Sequence, residues 1–249
     1  MANGISQLEQ RNWNFKNDVS VIGTLQVSPG RFVLEEYFKR LPQLNVNVAI
    51  STSLDFEVLG TNADNTTEAY STTVAGVKLT TKTTSADQVI VLPHLDTAQT
   101  AWSTVLWGTE NQTVWECALR TDSSIASIII WAGLKLTNTS TIATDADQVL
   151  FRFSTTDSDT TWRLISSIGN SDTNTDSGVT VAASTTYRFK VSIDSDRKAT
   201  FYINDVAYYK TAALTNDVDL IPYVGVQTAT TAAKAITVCY EKISRILFE

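Results

Sequence analysis

The sequence predicts an all-β protein, an antiparallel sandwich or barrel, and three observations lead there. From residue 46 onward, ten or more short apolar or alternating runs recur, each bounded by Asp, Asn, Thr, Ser or Gly clusters. Threonine is the biased residue, with 37 copies, and its β-branched side chain favours strands. The stretch "TFYINDVAYYK" at 200–210 reads as a hairpin. Phe201 and Ile203 share one face and Tyr202 takes the other, while Asn204-Asp205 supplies a turn whose residues tolerate left-handed backbone angles.

A chain of 249 residues with 43% hydrophobic residues can bury a large core, and sandwiches of this length are often single domains. Residues 1–27 form a polar N-terminal arm carrying the apolar anchors Trp13 and Phe15, then the alternating Val19, Val21 and Leu25. One such segment cannot make its own core, so it is either a frayed terminus or an arm that packs on a partner; the apolar anchors favour the arm and make these five residues the expected partner-docking positions. Residues 28–45 are predicted as a packing helix and connector. Ser28 caps it, Pro29 suits the first helical position, and Glu35-Glu36 precede Lys39-Arg40 in the order the helix dipole favours. Phe32, Val33, Tyr37, Phe38 and Leu41 make its apolar face, and Pro42 stops it.

Residues 46–249 form the sandwich. Its strands include "LDFEVLG", "VAGVKLTTK", "DQVIVLPHL", "TVWECALRT", "SIASIIIWAGLKL", "DQVLFRFST", "TWRLISSIG", "TYRFKVSID", "LIPYVGVQT" and "AITVCYEKISRILF". The repeated "ADQV" at 86–89 and 146–149 marks two similar strand starts rather than a duplicated domain.

Composition and motifs exclude several functions. A net charge of −7 argues against a nucleic-acid partner, which would need a basic footprint, and disfavours anionic membrane surfaces. No apolar run reaches membrane-spanning length, so a soluble protein made in a cytoplasm is expected. Cys117 and Cys239 read as two buried reduced thiols. The single histidine, His94, has no nucleophile motif to serve, and one His with two distant Cys makes a poor zinc site. Glu110 and Glu116 could share a strand face without being diagnostic of a catalytic pair. The alternation Asp172, Asn174, Asp176 invites calcium, but Ser177 and Ala183 stand where an EF-hand needs Gly and Glu. A solvated turn is the expectation, with no cofactor, and an irregular calcium site is the alternative. Of the six tryptophans, Trp115 and Trp131 read as core, whereas Trp102 and Trp107 in "TAWSTVLWGTE" are the surface candidates for stacking on a sugar.

Taken as a series, "TVWECALRT", "IIIWAGLKL", "DQVLFRF", "TYRFKVSID", "FYIND", "PYVGV" and "ITVCYEKISRIL" resemble the concanavalin A-like jelly roll of tailed-bacteriophage virion proteins, especially marine and cyanobacterial ones. Asp205 stands where that pattern usually has Gly, and the carboxylate run E-x-D-x-x-E of β-sandwich glucanases is absent. The resemblance covers roughly residues 19–249 and implies a non-enzymatic virion protein on the particle surface. Its expected role is capsid decoration or cementing, docked through the arm to the major capsid protein or another virion protein, as a homo-oligomer such as a trimer. The alternative is a carbohydrate-binding module for host glycans in a head or tail fibre. A polysaccharide-degrading enzyme using Glu116 is the third reading.

Overall fold

The computed structural model describes residues 30–44, 56–64, 66–93, 107–136 and 145–246. The arm with Trp13, Phe15, Val19, Val21 and Leu25, together with His94 and Trp102, lies outside the described residues.

Among the described residues sixteen strands follow one another. They are β1 (Arg31–Glu36), β2 (Gln43–Leu44), β3 (Phe56–Leu59), β4 (Glu68–Tyr70), β5 (Val77–Thr80), β6 (Gln88–Pro93), β7 (Val114–Thr121) and β8 (Ile128–Lys135). Then come β9 (Gln148–Ser154), β10 (Thr161–Ile168), β11 (Ser171–Thr180), β12 (Thr186–Ile193), β13 (Lys198–Ile203), β14 (Val206–Ala213), β15 (Ile221–Thr228) and β16 (Ala235–Ile246). They build two eight-stranded sheets. Sheet A runs β14-β13-β12-β7-β16-β5-β4, with β1 also on β16; sheet B runs β11-β10-β9-β8-β15-β6-β3-β2. All pairings are antiparallel except the short β2–β3 contact. The chain changes sheet after β1, β3, β5, β6, β7, β11, β14 and β15, so both sheets close on one core.

Strand alternation places that core. On β7 Trp115, Cys117 and Leu119 point inward, and Val114, Glu116, Ala118 and Arg120 point outward. Inward rings interlock across the sandwich: Phe151 stacks on Phe189 at 4.5 Å, and Trp162 meets Phe189 edge-on at 4.7 Å. A second apolar cluster, Ile90, Leu92, Trp131, Leu150 and Tyr223, occupies the other face of sheet B.

The expected helix at 28–45 is not formed. Residues 31–36 are strand β1, in register with β16 from Arg31↔Ile246 to Glu36↔Glu241. The reason is tertiary. Phe32 and Leu34 alternate with Val33 and Glu35, so an extended chain buries Leu34 to 6% exposure. The free edge of β16 supplies the hydrogen bonds that a helix this short could not recover alone. Phe38 then takes a positive φ of 52°, and its amide donates to the Glu36 carboxylate, which turns the chain toward Pro42. The sandwich therefore begins at β1, ahead of residue 46.

Other expectations fare differently. Asn204 and Asp205 both have positive φ, 51° and 68°, and Ile203 pairs with Val206, so the hairpin turn forms as read. Both "ADQV" copies open strands of sheet B: Gln88 begins β6 and Gln148 begins β9. Asp172, Asn174 and Asp176 lie along the edge strand β11 rather than in a turn. Their side chains follow one line instead of converging on a point, and Asp176 accepts from Thr161 Oγ1 at 2.6 Å and from the Gly178 amide. Cys117 is buried as expected, but Cys239 is only half-buried, at a register shift between Val238 and Tyr240.

Candidate functional site

Sheet A turns an outward face to solvent, and the strand register composes it row by row. Glu35 on β1 faces Lys242 on β16, which faces Glu116 on β7, then Lys190 on β12 and Tyr202 on β13. The row alternates charge and ends on an aromatic ring over which the Lys190 Nζ sits, 5.2 Å from its centre. The next row sets Tyr240 opposite Ala118 and Ala118 opposite Arg188.

Two tyrosines stand above these rows. The rings of Tyr37 and Tyr240 lie 5.3 Å apart at 34°, and Tyr37 is 52% exposed. Tyr240 donates its hydroxyl to Glu116 Oε2 at 2.9 Å, and Tyr37 donates to Glu35 Oε1 at 2.5 Å. Burial, then the neighbouring Glu116 carboxylate, push the Tyr240 hydroxyl well above its ordinary value. The bond to Glu35 pushes Tyr37 upward as well. Both hydroxyls therefore stay protonated as donors at any physiological pH.

Along β7 the same face leads into a cleft. Ala118 is small and leaves a floor between Tyr240 and Arg188, and two residues on, Arg120 opens a polar hollow of about 230 Å³. Glu116 and Arg120 lie about 13 Å apart at ordinary strand rise. Lys78 on β5 faces Thr237 on β16, and Thr237 faces Arg120, so two cations flank one hydroxyl in a single row. The remaining wall is the 71–73 turn, Asp122, Ser123 and Ser184. Lys78 Nζ approaches Asp122 Oδ2 at 3.8 Å.

The residues singled out from sequence are distributed unequally over this map. Glu116 is on the face, whereas Glu110 sits in the turn before β7 and receives the Thr109 hydroxyl. The two do not share a strand face. Trp107, expected at the surface, is 2% exposed and packs 5.8 Å from Phe32, so its ring offers no platform. The reason is that β1 lies over that end of the sheet where a helix was expected. Trp115 and Trp131 are buried, as read. Tyr37 stands on the apolar face of the helix expected from sequence, and Tyr240, Lys78 and Arg120 carry no local signal, because only the cross-strand register brings the four to one face. Among the described residues, no three His, Cys, Asp or Glu side chains converge as a metal site would require.

No protein-family model and no curated protein sequence matches the chain significantly. Solved structures do match. A protein of unknown function, SO2946, from Shewanella oneidensis MR-1 covers 99% of this chain over 95% of its own, with a TM-score of 0.58 at 12% identity. The β-glucanase of Bacillus licheniformis covers 87% over 98% of its own, at TM-score 0.54 and 10% identity. The carbohydrate recognition domain of Emp47p covers 83% over 95%, at TM-score 0.51 and 7% identity. The fold is a concanavalin A-like jelly roll. Its neighbours include both enzymes and binding domains, so fold does not decide between the two.

Proposed function

We propose that the protein is a non-enzymatic glycan-binding sandwich and that the outward face of sheet A is its binding surface. The observation that carries this reading is the Tyr37–Tyr240 pair standing over the Glu35–Lys242–Glu116–Lys190 row. A sugar offers an apolar ring face and a rim of hydroxyls. The exposed Tyr37 ring and the half-buried Tyr240 ring beside it complement the first, and closely spaced carboxylates and ammonium groups complement the second. The likeness to a carbohydrate recognition domain and a glucanase supports a scaffold suited to this, on which the ring and charge pattern is this chain's own.

Hydrolysis of a glycosidic bond needs two carboxylates facing each other across the bond. Here Glu35 and Glu116 are separated by β16, with Lys242 between them, and each is held by a tyrosine hydroxyl. This arrangement supports holding a sugar rather than cleaving it. Display on a virion, which the sequence resemblance implies, is compatible with a sandwich that binds host glycans.

A glycan array tests the reading. The wild type should bind a defined set of glycans, and Tyr37→Ala with Tyr240→Ala should lose at least about tenfold in affinity, as expected for two stacking contacts. Full retention by the double variant would place binding elsewhere. Shortening of a bound oligosaccharide that disappears in Glu116→Gln would replace the binding reading with an enzymatic one.

A further inference from the structure

The cleft at the end of the sheet A face differs chemically from the tyrosine platform. It contains no aromatic ring, and its polar groups are two cations, one carboxylate and a set of hydroxyls. Lys78 leans toward Asp122, a half-exposed pair that leaves Asp122 largely committed. Among the described residues the Arg120 guanidinium makes no hydrogen bond or ion pair, its charge acting only on the nearby Cys239 thiol, and five donors project from it in a fixed fork. It stands on the row Lys78–Thr237–Arg120, so a group bound there would meet a second cation and a hydroxyl within two strand spacings.

The whole chain carries a net charge of −7, so long-range attraction would not bring an anion to this place. Capture must come from local geometry. A planar fork matches a carboxylate or a sulfate ester through paired charge-assisted hydrogen bonds, which are stronger than those to neutral hydroxyls.

From this geometry we infer that the cleft is an acidic-sugar subsite, in which Arg120 holds the carboxylate or sulfate ester of a saccharide whose neighbouring unit rests on Tyr240. Arg120 lies two residues along β7 from Ala118, the partner of Tyr240, about 7 Å at ordinary strand rise. That separation suits adjoining units of one chain. Thr237, Ser184 and the 71–73 turn meet the hydroxyls of the acidic unit. The inference rests on the glycan-binding reading of the same face and adds the class of glycan.

The test uses the full chain on an array of matched neutral, uronic-acid, sialylated and sulfated oligosaccharides, followed by calorimetric titration. Titrants are oligogalacturonate against its methyl ester, and dextran sulfate against dextran. Each pair keeps one backbone and changes only the charge. The wild type should prefer the acidic member by at least about tenfold, the usual gain of a charge-assisted bond. Arg120→Gln should remove that preference while retaining the weaker affinity for the neutral member, and Arg120→Lys should restore part of it. A preference confined to the galacturonate pair and sialylated spots assigns a carboxylate; one confined to the dextran pair and sulfated spots assigns a sulfate ester. Equal affinity within both pairs, or a preference that survives in Arg120→Gln, overturns the subsite and leaves glycan binding standing. Silence across the whole array and all four titrants overturns both.

Discussion

Glu241 shows how much chemistry one side chain can carry inside a sandwich. It lies on the inward face of β16, fully buried, with Oε1 accepting from Trp115 Nε1 at 2.9 Å and Oε2 lacking a hydrogen-bond partner among the described residues. Burial pushes its carboxyl up to about 8, only partly offset by the indole bond. The folded protein therefore keeps this proton through neutral pH, while the unfolded chain releases it near the ordinary glutamate value of 4.5. Stability should fall as pH rises from about 4.5 to about 8 and level off above, by on the order of 4–5 kcal/mol for this group. Glu241→Gln should be little changed at pH 5 and progressively more stable than wild type toward pH 9, as read by urea unfolding. Gly133 tests packing at the same scale. A Cβ there would meet the Val149 carbonyl oxygen and Leu150 Cα, both at 2.5 Å, so Gly133→Ala should cost about 1–3 kcal/mol in the same assay. Some single-residue features were readable in advance. Asn204-Asp205 declared its turn because few residues accept two successive left-handed conformations. Asp205 also pairs with Arg188 there, which Gly could not do. The stacking role of Tyr37 and Tyr240 was not readable, because nothing local distinguishes an exposed tyrosine on a functional row from one at an ordinary strand position.

Elements were readable where their alternation was strong and their turns were marked. Of the strands from β7 to β16, all but β11 follow the runs picked out from sequence; β7, β10, β12 and β13 alternate with period two, whereas polar β11 reads as a turn because it carries almost no inward apolar set. β1 was misread for a physical reason. "RFVLEEYFKRL" satisfies helix periodicity and helix charge order as well as it satisfies alternation. The decision came from β16, whose twelve residues outrun β5 and leave an edge that β1 fills. Leu34 and Val33 separate the two readings experimentally. In the strand Leu34 faces the core and Val33 faces outward, so Leu34→Ala should lose about 2–4 kcal/mol while Val33→Thr stays within about 0.5 kcal/mol. Equal costs at both positions in chemical denaturation would contradict the register.

At the scale of the molecule, the fold class was legible and the site was not. A face assembled from β1, β16, β7, β12 and β5 takes residues from positions 35 to 242, and its composition depends on a strand order that sequence does not display. Deleting residues 1–27 removes no strand of the described sandwich, which begins at Arg31. The melting temperature should therefore stay within about 2 °C of wild type, the shift expected from well under 1 kcal/mol in a domain of this size. Light scattering on the same pair reports whether the arm holds copies together, and particle-binding assays report whether it docks the protein to a virion, as the sequence resemblance implies. The central claim concerns the face of sheet A, and amide chemical-shift mapping during titration with an array-positive glycan tests it most directly. Binding as proposed perturbs Glu116, Ala118, Arg120, Tyr240 and Lys242, and leaves Trp131 and Tyr223 on the other sheet unmoved. Perturbation centred on Trp131 and Tyr223, with the sheet A row unchanged, would contradict it.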